Sequence, residues 1–246
     1  MNFNIANMKR SILLLIGSLF LLRGWAQKTV IDDPNAEVRA VRGYHAIEVS
    51  NAIDLYLSQG DQETVVVSAK ETKWRDQIRT EVVDGVLKIS LAKSSWSWTG
   101  SNKKMKAYVS FTTLDKLTAS GASDVYVDGA ITGDHLDMYL SGASDFKGAV
   151  KLNGLKIDQG GASDVLISGT VTGSTSIHAS GASDLKGYGL ATDNCDVHAS
   201  GASDIQITVN KEVNAHVSGA SSLDYKGNAV IRDLHSGGAS NVSKKG

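Results

Sequence analysis

His178-Ala179-Ser180-Gly181-Ala182-Ser183-Asp184-Leu185 recurs 20 residues on as His198-Ala199-Ser200-Gly201-Ala202-Ser203-Asp204-Ile205. The inner phrase Ser-Gly-Ala-Ser-Asp stands also at 120–124 and 141–145, with variants at 160–164, 218–222 and 237–241. Its central glycines are Gly121, Gly142, Gly161, Gly181, Gly201, Gly219 and Gly238, in steps of 21, 19, 20, 20, 18 and 19. Seven copies at one period signal an array of stacked units.

Between phrases the chain alternates with period 2, the pattern of strands. Apolar residues or glycine stand four and six places after most of the glycines, as in Val125/Val127, Val165/Ile167 and Ile205/Ile207. Leu117, Met138, Ile157, Ile177, Val197, Ala215 and Leu234 stand four places before them. Twenty residues at about 3.3 Å each give a contour of about 66 Å, enough for one coil of two or three short strands. The reading is an all-β chain, a β-solenoid whose coils stack at about 4.8 Å. Gly and Ala then mark a bend where a longer side chain would meet its copy in the next coil. A propeller blade needs about 40 residues, and seven phrases pair into three and a half blades, which cannot close. No six-residue period is present for a hexapeptide helix.

Outward from the repeat, Ala46 to Leu57 alternates, Val65-Val66-Val67 follows, and Asp84-Gly85 within Ile78 to Leu91 is a tight-turn signal. Residues 70–77 suit a single helical turn. Residues 44–118 thus read as divergent coils of the solenoid domain 42–246, and 119–241 as its regular coils. Residues 27–41, with the one proline Pro34, read as a leader. Residues 1–26 read as a signal peptide. Lys9 and Arg10 precede an apolar run of 11 residues, Ile12 to Leu22, too short to span a bilayer, and Gly24-Trp25-Ala26 suits cleavage before Gln27. An uncleaved anchor is the alternative. Cleavage would remove Lys9, Arg10 and Arg23 and no acid, taking the formal charge from −1 to −4. Neither value offers the basic excess that nucleic acid binding needs. The one cysteine, Cys195, allows no disulfide framework and no lipid attachment at the cut, and it reads as a buried apolar residue.

On Ile47-x-Val49, on Asp84-Gly85-Val86-Leu87-x-Ile89 and on the stacked Gly-Ala-Ser-Asp coils, residues 42–241 resemble the head GIN domain family of "putative auto-transporter adhesins" common in Bacteroidetes. The resemblance implies a right-handed parallel β-helix with a role in cell-surface adhesion, and it brings no established catalytic residues. The sequence ends at Lys244-Lys245-Gly246 with no translocator barrel, so autotransport is not the expected route of export.

Two columns follow from the repeat. Asp124, Asp145, Asp164, Asp184 and Asp204 continue into Ser222 and Asn241. They read as a ladder of turn residues whose side chains accept N–H groups, with calcium binding the alternative. Three places before the glycines stand Thr118, Tyr139, Asp158, His178, His198, His216 and His235. Alternation turns these histidines outward. They form either a solvated ladder or, with imidazoles about 4.8 Å apart, a place for Zn²⁺ or Cu²⁺.

One segment breaks the repeat: Trp96 and Trp98 in a polar stretch, then Lys103, Lys104 and Lys106. These aromatics either stack on a sugar or meet a partner, or fold back over a solenoid end. The regular coils hold a single arginine, Arg232, where a polysaccharide lyase needs a basic residue over an acidic cluster. The Ser, His and Asp residues fall in separate columns rather than one triad. The expectation is an exported, non-catalytic binding module of the periplasm, cell surface or medium, without cofactor or lipid anchor. It has no membrane span once the signal is removed. It would contact a glycan or an envelope or cell-surface protein through Trp96, Trp98, Lys103 and Lys104. A structural or stress-related envelope scaffold is the alternative, and a polysaccharide-active enzyme the third reading.

Overall fold

The structure, a computed structural model, describes residues 33–92 and 104–246. The expected signal peptide and the tryptophan segment, including Trp96, Trp98 and Lys103, lie outside the described residues. The first strands are β1 (Glu37–Arg39), β2 (Ala46–Val49), β3 (Asp54–Gln59) and β4 (Thr64–Ser68). The helical turn α1 (Thr72–Arg75) falls inside 70–77, before β5 (Ile78–Val83), β6 (Val86–Leu91) and β7 (Lys106–Phe111). Then come β8 (Lys116–Ala119), β9 (Val125–Thr132), β10 (His135–Leu140) and the long strands β11 (Phe146–Gln159) and β12 (Asp164–Ala179). The last are β13 (Asp184–Ala199), β14 (Asp204–Val217), β15 (Ser222–Lys226), β16 (Val230–Ser236) and β17 (Asn241–Lys244). Together they form a β-solenoid with coils of about 20 residues.

Each regular coil runs from one phrase to the next. In β12, Val165 and Ile167 point inward, the strand bends near Gly169, and Thr175, Ile177 and Ala179 point inward on the return. Parallel pairing sets like on like: Val165 on Leu185, Ile177 on Val197, Ala179 on Ala199. The inward side chains make one continuous core. Burying a Leu or Val of this kind contributes roughly 1.5–3 kcal/mol.

At the phrase the coils approach backbone to backbone. Gly161, Gly181, Gly201 and Gly219 all have φ between +76° and +82°. A Cβ on Gly181 would stand 2.4 Å from the carbonyl oxygen of Gly161, one coil away. That carbonyl is already engaged, accepting the N–H of Ala182 at 2.8 Å. The obstacle is therefore backbone, not a copy of the side chain. The alanines of the phrase are exposed, so packing does not restrict them as it restricts the glycines.

The divergent half differs from a simple run of coils. β2 lies between β6 and β8, and β3 lies between β7 and β9, all parallel. The coil β2–β3 is thus second among the parallel coils in space though first in the chain, and β6–β7 is the last parallel coil at that end. The chain reaches that end through β4 and β5, which pair antiparallel with β7 and β6. The β5–β6 turn has φ +51° at Asp84 and +76° at Gly85, the left-handed pair that a two-residue hairpin needs. At the far end β16 is exposed along its whole length. Leu234, expected inward, is 46% exposed because no coil among the described residues covers it. No helix of the described residues is long and apolar enough to cross a membrane.

Candidate functional site

The histidine column runs down the returning halves of β12, β13 and β14 and onto β16. Asp158 pairs with His178, His178 with His198, His198 with His216 and His216 with His235. The ring centroids follow at 4.8, 4.8 and 4.5 Å; His178 and His198 stack nearly parallel, and the later pairs are tilted by 31° and 37°. A strand repeat two residues long puts acids on the same face: His198 Nε2 lies 3.3 Å from Asp196 Oδ1, and Asp233 stands beside both His216 and His235. Beside the imidazoles runs a second line, the hydroxyls of Ser180, Ser200, Ser218 and Ser236, each the residue before a Gly corner or, at the end, two before it. Between the lines is an open groove of about 800 Å³, spanning the coils from Asp158 to His235.

The aspartate column occupies a different corner. Asp124 Oδ1 accepts the N–H of Asp145 at 3.3 Å, and Asp145 Oδ1 accepts that of Asp164 at 3.1 Å. Asp204 Oδ1 accepts the hydroxyl of Ser222 at 2.6 Å. Asp164 and Asp184 continue the register. Partial burial pushes the Asp145 carboxyl above its ordinary range, with the neighbouring charges of Asp124 and Asp164 adding to it and the Asp164 N–H opposing. Among the described residues, these carboxylates form no group of three converging ligand atoms; His216, Asp233 and His235 do.

The sequence marks the serines between Ala and Asp as turn residues like the aspartates, but not their burial. Ser123, Ser144, Ser163, Ser183, Ser203 and Ser221 are all buried. Their hydroxyls serve backbone groups: Ser144 Oγ accepts the N–H of Ser123 at 3.1 Å, and Ser183 donates to the carbonyl of Ser180 at 2.9 Å. Recurrence in every phrase from 120 to 222 was the available signal. A second omission is a stack of tyrosines, Tyr108 on Tyr56 at 5.1 Å and Tyr56 on Tyr126 at 5.2 Å. Those residues meet only because coils interleave out of chain order, which no linear spacing reveals. Tyr139, the histidine column's predecessor, sits between the ammonium groups of Lys116 and Lys156, each about 5 Å from the ring.

Lys104 is exposed with φ +45°. Its neighbours in the chain enter β7, in the last parallel coil at the end opposite β16. The structure therefore does not bring Lys104 to the histidine groove. Cys195 is buried, and burial pushes its thiol up, so it is not poised as a nucleophile.

The sequence of the chain matches the family described as "Putative auto-transporter adhesin, head GIN domain" over residues 43–229. The chain belongs to that family. Among curated proteins, none matches it. The solved structures it resembles agree in fold. A putative adhesin from Bacteroides fragilis, 21% identical, superposes with a TM-score of 0.75 over 85% of this chain and 96% of that one. A putative adhesin from Parabacteroides distasonis, also 21% identical, gives 0.65 over 86% and 96%. A putative lipid binding protein from the same species, 17% identical, gives 0.64 over 87% and 98%. At these identities the likeness carries the solenoid architecture. Adhesin membership of the head GIN family carries the coarse role, a protein that binds something at a surface.

Proposed function

We propose that this head GIN protein is an exported, non-catalytic binding module that holds an extended glycan in the groove along its histidine ladder. The observation that carries the reading is the groove's shape and lining. It is open and runs along the solenoid axis. Four coil steps of about 4.8 Å, from Asp158 to His235, make it about 19 Å long. One wall offers stacked imidazoles and the other stacked serine hydroxyls. A polyhydroxylated chain lying along the axis would meet the same donors and acceptors at each step, and imidazole can both donate and accept. A repeated lining suits a repeated polymer, whereas catalysis needs one arrangement that differs from its neighbours.

The tryptophan segment belongs to the same proposal as a second contact. Trp96 and Trp98, followed in the chain by Lys103 and Lys104, would add stacking and charge to that contact. A glycan array with wild type, His178→Ala/His198→Ala and Trp96→Ala/Trp98→Ala tests both. Glycan binding weakened by the histidine pair supports the groove. Binding lost only with the tryptophans moves the contact to that segment. No binding to any glycan favours the scaffold reading.

A further inference from the structure

The end of the histidine ladder differs from its middle. In β16 the register slips by one residue: Val213 pairs with Ile231, but Asn214 pairs with Asp233, so Arg232 is the extra residue of a bulge. Bulges re-aim the side chains that follow them. Here the residues that follow are Asp233 and His235. His216 Nε2 and His235 Nδ1 lie 2.9 Å apart, His235 Nδ1 lies 3.2 Å from Asp233 Oδ1, and His216 Nε2 lies 3.5 Å from Asp233 Oδ2.

We propose that His216, Asp233 and His235 form a binding site for a divalent transition-metal ion. A tetrahedral ion with bonds of about 2.0–2.1 Å separates its ligands by about 3.3–3.4 Å. The three observed separations bracket that edge within a few tenths of an ångström, so small side-chain shifts suffice. Two imidazoles and one carboxylate are a ligand set for zinc or copper rather than calcium or magnesium, which select oxygen. His216 Nδ1 is buried without a hydrogen-bond partner, so the polar chemistry of this ring is directed through Nε2, toward the other two ligands. Three protein ligands leave a fourth position, which faces solvent because His235 is 69% exposed at its side chain. Copper(II) should bind more tightly than zinc, following the general order for such donors. The other exposed His–Asp pairs do not match this site. His45 with Asp115 and His135 with Asp137 have one imidazole each, and His198 with Asp196 lacks a second converging ring. The ion site stands on this geometry and is independent of whether the groove holds a glycan.

The test is calorimetric titration of the purified protein, free of any histidine tag, with CuCl₂ and ZnCl₂, together with Cu(II) electron paramagnetic resonance. One equivalent should bind, with two nitrogen couplings in the copper spectrum. His235→Ala and Asp233→Asn should each weaken binding by more than the roughly 10–100-fold that loss of an outer-shell partner costs. His135→Ala should change it by no more than about a factor of two. Far-UV circular dichroism of each variant shows that it is folded. Absence of stoichiometric binding to the folded wild type overturns the proposal. So does a copper site that survives both His235→Ala and Asp233→Asn, or one lost equally in His178→Ala.

Discussion

Replacing Gly181 by alanine tests why the phrase repeats. At φ +82° an alanine adopts a left-handed conformation that costs about 1–2 kcal/mol. Its Cβ would also lie 2.4 Å from the Gly161 carbonyl oxygen and 3.0 Å from the Gly161 nitrogen. Both are backbone atoms, and the carbonyl is held by the Ala182 N–H, so the coils must part locally, an overpacking cost of about 1–3 kcal/mol. The total is about 2–5 kcal/mol. Gly129 supplies the control: its φ is +78°, but a Cβ there meets nothing within 4 Å. Gly129→Ala should cost the conformational part alone. The two variants should therefore differ by about 1–3 kcal/mol, or roughly 2–12 °C in melting temperature for a chain of this size. Thermal melts followed by far-UV circular dichroism, supported by urea midpoints, measure the difference. Equal losses for Gly181→Ala and Gly129→Ala would refute the claim that coil contact, rather than the turn alone, demands glycine.

Three further expectations concern the phrase and its surroundings. Ser144→Ala leaves the buried N–H of Ser123 without its acceptor and should cost about 1–3 kcal/mol, whereas exposed Ser141→Ala should stay within about 0.5 kcal/mol; urea denaturation compares them. Gln159 is 1% exposed and both ends of its amide lack partners, so Gln159→Leu, matching Leu140 in the adjacent coil, should raise stability by about 1–3 kcal/mol; an unchanged or lowered urea midpoint would count against it. The folded carboxyl of Asp145 titrates above the ordinary 3.8, so it holds protons that the unfolded chain has lost, and its ionisation opposes folding at neutral pH. Asp145→Asn keeps an acceptor for the Asp164 N–H and should be at least as stable as wild type at pH 7, with the gap shrinking as pH falls through the raised pKa toward 3.8; a gap that widens on acidification would contradict this.

The regular coils were legible because in-register parallel stacking preserves the sequence period. Once Gly181 sits on Gly161, His178 must sit beside Asp158 and His198, so the histidine column could be read directly. The interleaved end was not legible. Ser50-Asn51-Ala52-Ile53-Asp54 occupies the phrase's corner in the coil β2–β3, with Ala52 donating to the Gly121 carbonyl at 3.1 Å. Asn51 takes φ +69° where the other copies have glycine, as asparagine can. That degenerate copy is 70 residues from its spatial neighbour at Gly121, so periodicity gave no hint of it. The convergence of Asp233 on two histidines depends on a bulge at Arg232, and a bulge shifts register without leaving a mark in the hydrophobic pattern. The exposure of Leu234 has a similar origin, since an end coil carries the same alternation as an inner one.

The groove reading is tested most directly by NMR mapping of the glycan that the array returns, titrated into isotopically labelled protein. The account predicts that the largest shifts fall on the imidazole C–H signals of His178, His198, His216 and His235 and on the amides of Ser180, Ser200 and Ser218, saturating together with one affinity. Saturable binding that leaves those signals unmoved and perturbs only the segment from Lys93 to Lys106 would contradict it.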